Sequence, residues 1–468
     1  MLEFIELYWK NTIFTIQNIK VIKKLPFLLL LSISAVQSQE IDYSLSAAAQ
    51  GMVYTEAESP FWMHSNQRGR IDEKTNISSW VNGRGAYEFR NGSILKGGLG
   101  VLYHDGYLNK VQLDEYFVSY ENSWLETYAG RKQKDEVFNG LSATNESILW
   151  SLNSRPIPGI SLKMKRPLMF WDTGIGFKAS WEEFFSDETE RYIQKIRIHH
   201  KSFHLVFNKI NNIEIIGGVH HYVQWGGKSP EYGELPSGFE DYLKVITGGS
   251  IIDGDGLIGE NEINGLGNHL GGYEVQLNTS ISRYDISLVY NTIFEDFSGI
   301  KLRNTPDGRY GVYVEDQDSE KWVQALMYEY YFTRHQSKTY PTTDGKDNYF
   351  NNHLYQSGWT YEQRIIGLPF IMLDDERFKV AHNNIVAHHI GISGNAFYRY
   401  PYKFLASYRG NYGAKSGSSR PIERIISTYL DVNIWQEFVN VNLQVGADLH
   451  SEKSSNVGFG LRVEKMIY

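Results

Sequence analysis

Residues 439–449 alternate without interruption. Val439, Val441, Leu443, Val445, Ala447 and Leu449 fall on one side, and Asn440, Asn442, Gln444, Gly446 and Asp448 on the other. A period of two is that of an extended strand, whose successive side chains point to opposite faces. The run is also as long as the roughly 9–11 residues that a tilted strand needs to cross a bilayer. The same alternation returns at 81–89, 95–103 and 457–463. Further stretches of strand character are 175–181, 203–207, 213–221, 273–281, 286–290, 322–330 and 426–434. Strong helical periodicity is absent; residues 181–196 read as a turn or two of helix or as a loop.

The non-apolar face of these segments is Asn, Gln, Gly, Arg, Glu and Asp, the composition of a wet lumen rather than of a surface in bulk water. Tyr87, Tyr103, Tyr290, Trp322 and Tyr330 stand near strand ends, as in an interfacial girdle. Lipid requires such strands to close on themselves, since an open edge would leave N–H and C=O groups unpaired in hydrocarbon. The expectation is an all-β, antiparallel transmembrane barrel of 14 to 18 strands. A secreted sandwich or solenoid is the competing fold, although no internal repeat supports a solenoid.

The N-terminus agrees with export. Lys20, Lys23 and Lys24 precede an apolar run at 25–35, and Val36 and Ser38 then occupy the −3 and −1 places of a small-residue cleavage site. Residues 1–38 are therefore expected to be an extension plus cleaved signal peptide, and 39–468 one outer-membrane barrel domain. Beyond the signal no run of 18 apolar residues exists, which excludes a transmembrane helix there. The chain has no cysteine, which excludes disulfides, thiolate metal sites and a lipid-modified cysteine. Its net charge of −8 argues against a nucleic-acid partner. The C-terminal residue, Tyr468, is aromatic as in many barrels, but out of phase with 457–463.

Motifs for chemistry are few. Asp253, Asp255 and Glu260 imitate a calcium loop, but Leu257 and Ile258 stand where a ligand and a glycine belong. Histidine pairs occur at 199/200, 220/221 and 388/389, yet neighbours on one strand point to opposite faces. No HExxH, GxSxG or phosphate loop is present. No catalytic residue, metal or cofactor is assigned.

Six blocks, in order, resemble the Wzi family of capsule-assembly outer-membrane proteins, in particular a Bacteroidetes-type branch. They are SPFWM at 59–63, NGLSATNESILWSLNSRPIPGISL at 139–162, HHKSFHL at 199–205, QWGG at 224–227, LGNHLGGYE at 266–274 and DNYFNNHLYQSGW at 347–359. The resemblance implies an 18-stranded barrel in which periplasmic elements plug one end. It also implies a lectin-like role in holding capsular polysaccharide or exopolysaccharide at the cell surface. Lipopolysaccharide and the polysaccharide export machinery are further expected partners. The basic run Lys163, Met164, Lys165, Arg166 after the RPIP block departs from the pattern.

A sugar offers C–H faces to aromatic rings and hydroxyls to amides and carboxylates. On that chemistry, Asp347, Asn348, Tyr349, Asn351, Asn352 and Trp359 form one candidate glycan-binding group, and Gln224 with Trp225 a second. Arg155, Pro156 and Pro158 read as a rigid structural turn, because each proline fixes φ and removes a donor. Asn268 and His269, set among glycines, read as a tight turn. Three functions compete: a non-catalytic polysaccharide-organising barrel, a general diffusion porin, and an outer-membrane hydrolase.

Overall fold

In the computed structural model the described residues are 41–467, except 107–109, 249–265, 296, 319, 339–346, 375 and 415–420. The signal segment, the acidic loop at 253–260 and Tyr468 lie outside the described residues.

Alternation in the sequence becomes an inside and an outside in the fold. Between Asn440 and His450, Leu443, Val445 and Leu449 are exposed, while Gln444 and Asp448 are buried. This inverts the order of a water-soluble protein. The strands are β1 (Ile41–Tyr54), β2 (Ile77–Glu88), β3 (Ile94–His104), β4 (Val111–Glu121), β5 (Leu125–Arg131) and β6 (Gly159–Met164). They continue as β7 (Ile175–Phe185), β8 (Arg197–Phe207), β9 (Ile213–Trp225), β10 (Asn268–Ile281), β11 (Tyr284–Asn291) and β12 (Gly308–Asp316). The last are β13 (Ala325–Phe332), β14 (Ile385–Ala396), β15 (Tyr400–Asn411), β16 (Glu423–Trp435), β17 (Asn440–His450) and β18 (Asn456–Ile467). Strand β6 breaks and resumes at Leu168–Met169 against β7. Each strand pairs antiparallel with the next, and β18 returns to β1 with Leu45 opposite Ile467 and Gln50 opposite Arg462. The result is a closed barrel of 18 strands.

Two expected boundaries moved. Residues 181–185 finish β7, and 186–196 is an irregular connection, not a helix. Strand β13 starts only at Ala325, so Trp322 sits in the preceding turn.

The two rims differ. Residues 122–124, 282–283 and 397–399 are tight turns on the rim that also holds Ile41 and Ile467. Connections 55–76, 132–158, 186–196, 292–307 and 333–384 all leave from the other rim. Outer-membrane barrels carry short turns on the periplasmic side and long loops outside, so the long rim faces the exterior. Tyr43, Trp124, Trp171, Phe397, Tyr398 and Phe438 are exposed at the short-turn rim and form its girdle. Near the opposite rim Tyr290, Tyr310 and Tyr330 form a row across three adjacent strands, their rings tilted to one another with centroids 4.9 and 6.1 Å apart.

The long connections fold into the lumen and pack across it, leaving polar cavities on the short-turn side. Trp62, Trp150, Tyr349, Phe350, Trp359 and Phe370 are buried there in one apolar cluster. This plug enters from the exterior rim; among the described residues it does not come from the periplasmic side, where the resemblance pointed. Polar wall residues hold it. The Arg309 guanidinium on β12 donates to Glu329 on β13 at 2.7 Å, to Asn291 Oδ1 at 3.1 Å and to the Glu146 carbonyl at 3.2 Å. Glu329 in turn accepts from the Ser142 hydroxyl at 2.8 Å and the Ala143 N–H at 2.7 Å. About a quarter turn round the wall, on β17, Asp448 accepts the Phe61 N–H at 2.9 Å, at the start of the single-turn helix α1 (Phe61–His64). Gly446 and Gly458, partners across β17 and β18, leave a flat seat for Pro60 and Met63; a Cβ on either would stand under 3 Å from the Met63 side chain.

Removing one member of a buried pair leaves the other charge uncompensated, at about 3–5 kcal/mol. Arg309→Ala is therefore expected to loosen residues 141–146 while leaving the strands in place. Limited proteolysis and backbone hydrogen exchange of the purified barrel should show faster opening in the plug than in wild type.

Candidate functional site

The sequence-derived candidates converge, but inside the plug. The Gln224 amide donates to the Gly358 carbonyl at 3.1 Å and accepts from Asn268 Nδ2 at 2.9 Å. Asn268 Oδ1 accepts from Asn352 Nδ2 at 3.2 Å, and Asn352 Oδ1 caps the N–H groups of Leu354 and Tyr355. Asp347 accepts from the Glu295 N–H and from the Ser337 hydroxyl, both at 2.8 Å. Asn348 accepts from Asn383 Nδ2 at 2.8 Å, and the Asn351 amide reaches Asn348 at 3.4 Å. Tyr349 donates to Asp307 at 2.7 Å. Trp359 is fully buried and donates to the Leu149 carbonyl at 2.6 Å.

Trp225 lies apart from this group, stacked on Tyr242 of α2 (Phe239–Thr247) with Arg197 above its ring. Asn268 and His269 do not form the expected turn: they open strand β10, paired with Gln224 and Val223 of β9, and His269 meets His221 at 2.9 Å. Arg155 is buried; it pairs with Glu362 at 2.6 Å and donates to the Leu113 carbonyl at 2.6 Å. The Pro156 carbonyl accepts from Arg131 at 2.9 Å, and the Pro158 carbonyl from the Phe185 N–H at 2.8 Å. Most of these polar side chains are engaged by neighbouring side chains and backbone carbonyls inside the plug. A polymer outside the cell cannot stack on Trp359 while the plug is seated.

The surface a polymer can reach is the outer face of the plug. A cleft of about 380 Å³ opens there between connection 55–76, residues 363–377 and the wall of β15 to β18. Glu56, Glu58, Asp374 and Lys453 line it, with Arg364, Arg377 and Arg409 at its floor. Arg377 pairs with Glu73 and donates to the Gln363 carbonyl at 2.9 Å. Arg409 lies over the Phe61 ring at 4.0 Å. Beside the cleft is a ledge of rings. Phe378 is 37 % exposed and meets Tyr192 edge-on at 6.3 Å. Tyr232 is 46 % exposed, and the neighbouring Glu231 lies 3.5 Å from the Tyr192 hydroxyl. Gln363 joins cleft and ledge, donating to Glu190 at 3.3 Å. Sequence reading missed the ledge because Tyr192 and Phe378 are single rings in charged segments, and no local pattern announces that two distant loops will meet.

Burial shapes titration in the plug. Desolvation raises the Asp307 carboxyl above its usual range, against the pull of the Gln336 N–H and the Tyr349 hydroxyl. His64, on the cleft wall, is held well below the usual imidazole value, first by desolvation and then by Arg364, Arg377 and Arg409. Glu73 lies 3.8 Å from His64 Nε2, but its charge is engaged by Arg377. Folded His64 is therefore neutral where an unfolded one has begun to protonate. The unfolded state binds the extra proton, so plug stability is full above about pH 6.5 and falls as pH drops below it. Hydrogen exchange at residues 61–65, corrected for intrinsic rates, should accelerate from pH 7.5 to pH 5, and His64→Gln should flatten that dependence.

The solved structure described as Wzi, an outer-membrane protein involved in group 1 capsule assembly in Escherichia coli and a carbohydrate-binding β-barrel, superposes with a TM-score of 0.58 at 13 % identity, over 94 % of this chain and 86 % of that one. Pseudomonas aeruginosa OccK5 gives a TM-score of 0.44 at 10 % identity, over 92 % and 98 %. Acinetobacter baumannii OccAB4 gives 0.46 at 8 %, over 92 % and 99 %. No curated protein matches the sequence. The family model for capsule assembly protein Wzi matches residues 42–370, from the first barrel strand through most of the plug. With barrel strands and most of the plug both inside the matched residues, this chain belongs to the Wzi capsule-assembly family of outer-membrane β-barrel proteins.

Proposed function

We propose that this barrel holds capsular or extracellular polysaccharide at the cell surface by lectin-like contacts, without catalysis. The observation that carries the reading is the exterior ledge of Tyr192, Tyr232 and Phe378 beside a cleft of carboxylates, amides and guanidinium groups. Rings take the C–H faces of sugars, and the fixed polar groups take their hydroxyls. Family membership and the description of the Escherichia coli relative as carbohydrate-binding support the same reading. Export proteins that deliver the polymer, and lipopolysaccharide around the barrel, are the partners this role calls for.

The alternatives fare less well. A diffusion porin needs an open lumen with a charged constriction, whereas here Trp62, Trp150 and Trp359 close the centre. A hydrolase needs a nucleophile and base directed at a substrate in a shared pocket; the Ser59–His64 contact of 3.1 Å in the cleft joins two groups that are both largely buried.

Each exposed ring is expected to contribute about 0.5–1.5 kcal/mol, up to roughly tenfold in Kd. Tyr232→Ala and Phe378→Ala should weaken binding of the purified barrel to polysaccharide from its own cell surface, with the strand content unchanged. Deleting the gene should leave polymer synthesised but shed into the medium, and the double variant should restore attachment poorly. Unchanged attachment in the deletion strain would remove this function.

A further inference from the structure

Beneath the plug, lumen-facing side chains of β8, β9 and β10 converge on one point. His204 is opposite Gly218, and Gly218 is opposite Glu274, so the three form a row across neighbouring strands. His220 stands two residues along β9, on the same face. His204 Nε2 lies 3.2 Å from His220 Nε2, which lies 3.5 Å from Glu274 Oε2. One ligand atom from each residue falls within 4.8 Å of the other two. A Cβ at Gly218 would stand 2.1 Å from the His204 ring. The glycine therefore supplies the space that lets His204 reach the point.

The surrounding hydrogen bonds orient the donors. Glu182 accepts from the Ser161 hydroxyl at 2.8 Å and pairs with Lys163 at 3.2 Å, so it is a carboxylate, an acceptor only. Its contact with His200 Nδ1, at 2.5 Å, assigns the proton to that nitrogen. His200 Nε2 is then a lone pair facing His220 Nδ1 at 3.2 Å, which assigns the next proton to His220 Nδ1. His220 Nε2 is left as a lone pair aimed at Glu274, itself an acceptor that takes a hydrogen bond from Asn291 at 3.1 Å. His220 Nε2 and Glu274 Oε2 thus face each other 3.5 Å apart as two acceptors, and His204 Nε2, 3.2 Å from His220 Nε2, either donates to that lone pair or, with its proton on Nδ1, presents a third lone pair to the same point. A carboxylate–histidine chain that fixes the tautomer of a ligand histidine is the usual outer shell of a protein metal site.

We propose that His204, His220 and Glu274 bind a borderline divalent transition-metal ion, with Zn²⁺ the best fit. Bonds of about 2.0–2.1 Å in a tetrahedron place ligand atoms about 3.3–3.4 Å apart; the two pairs that involve His220, at 3.2 and 3.5 Å, stand close to that value, and the His204–Glu274 pair, within 4.8 Å, draws in on binding. Two imidazoles and one carboxylate suit zinc over the oxygen-seeking Ca²⁺ and Mg²⁺. The site opens on a lumen cavity of about 340 Å³, which gives the ion an entry path and room for a fourth, water ligand. Bound there, the ion ties three adjacent strands together below the plug. This inference stands independently of the glycan-binding role.

The test uses the full barrel, prepared without a histidine tag, stripped with chelator and equilibrated against Zn²⁺. One zinc per chain is expected, and neither Ca²⁺ nor Mg²⁺ should compete. Co²⁺ in place of zinc should show the strong visible absorption of a tetrahedral site. His220→Ala and Glu274→Gln should each weaken binding at least about tenfold, and Glu182→Gln, which acts through His200, about 10–100-fold. His221→Ala, on the opposite face of β9, should leave affinity unchanged. Glu274→Gln is nearly isosteric and keeps the test open if His220→Ala fails to fold. No zinc uptake, or uptake that Glu274→Gln does not change, would overturn the proposal and leave a proton shared between His220 and Glu274 as the occupant.

Discussion

Every backbone polar group that enters hydrocarbon must find its partner within the protein, and most of this structure follows from that demand. Eighteen strands satisfy it by closing from β18 onto β1. Closure assigns each strand two unlike faces, so the apolar set of Leu443, Val445 and Leu449 meets lipid while Gln444 and Asp448 turn inward. The inward set creates a second demand. Buried polar side chains also require partners, and the lumen meets that need with protein as well as with polar cavities. Arg309 and Glu329 bind residues 142–146, Asp448 binds the start of α1, and Ser407 accepts the Trp62 indole N–H at 3.1 Å.

Function follows from which rim supplies the plug. The long connections start at the exterior rim and fold inward, so their aromatic residues form a core and their charged segments form a face. The barrel then acts as a rigid mount that displays this face to the outside. Loops carry recognition well when a scaffold fixes their ends, and here wall hydrogen bonds fix them along their length as well. The lower lumen is different in character. It keeps polar cavities, one lined by His200, His204, His220 and Glu274 and another by Arg68, Arg70, Lys403 and Arg462.

The barrel was legible in the sequence because period-two alternation records the lipid–lumen division directly, residue by residue. Strand β17 differs from the expected segment by one residue at each end. The plug was not legible as such. Its blocks, SPFWM, the stretch 139–158 and DNYFNNHLYQSGW, look like loops rich in Asn, Ser and aromatic residues, the composition that sugar sites also have. Asp347, Asn352 and Trp359 drew attention for that reason, and their side chains instead complete the interior. Only three-dimensional packing separates a buried Asn–aromatic network from an exposed one. The His204–His220–Glu274 group escaped for a related reason. Its members are spread over three strands, and the register that aligns them is not visible in any one strand.

The most direct measurement of the central claim, that the polar lumen is occupied by a plug and the barrel serves as a mount, is the ionic conductance of the wild-type protein in a planar lipid bilayer. A seated plug predicts insertion with current near the bare-membrane baseline and no steady steps. Uniform, long-lived ohmic steps of the size expected from an open barrel of 18 strands would contradict it, and would return the protein to the diffusion porins.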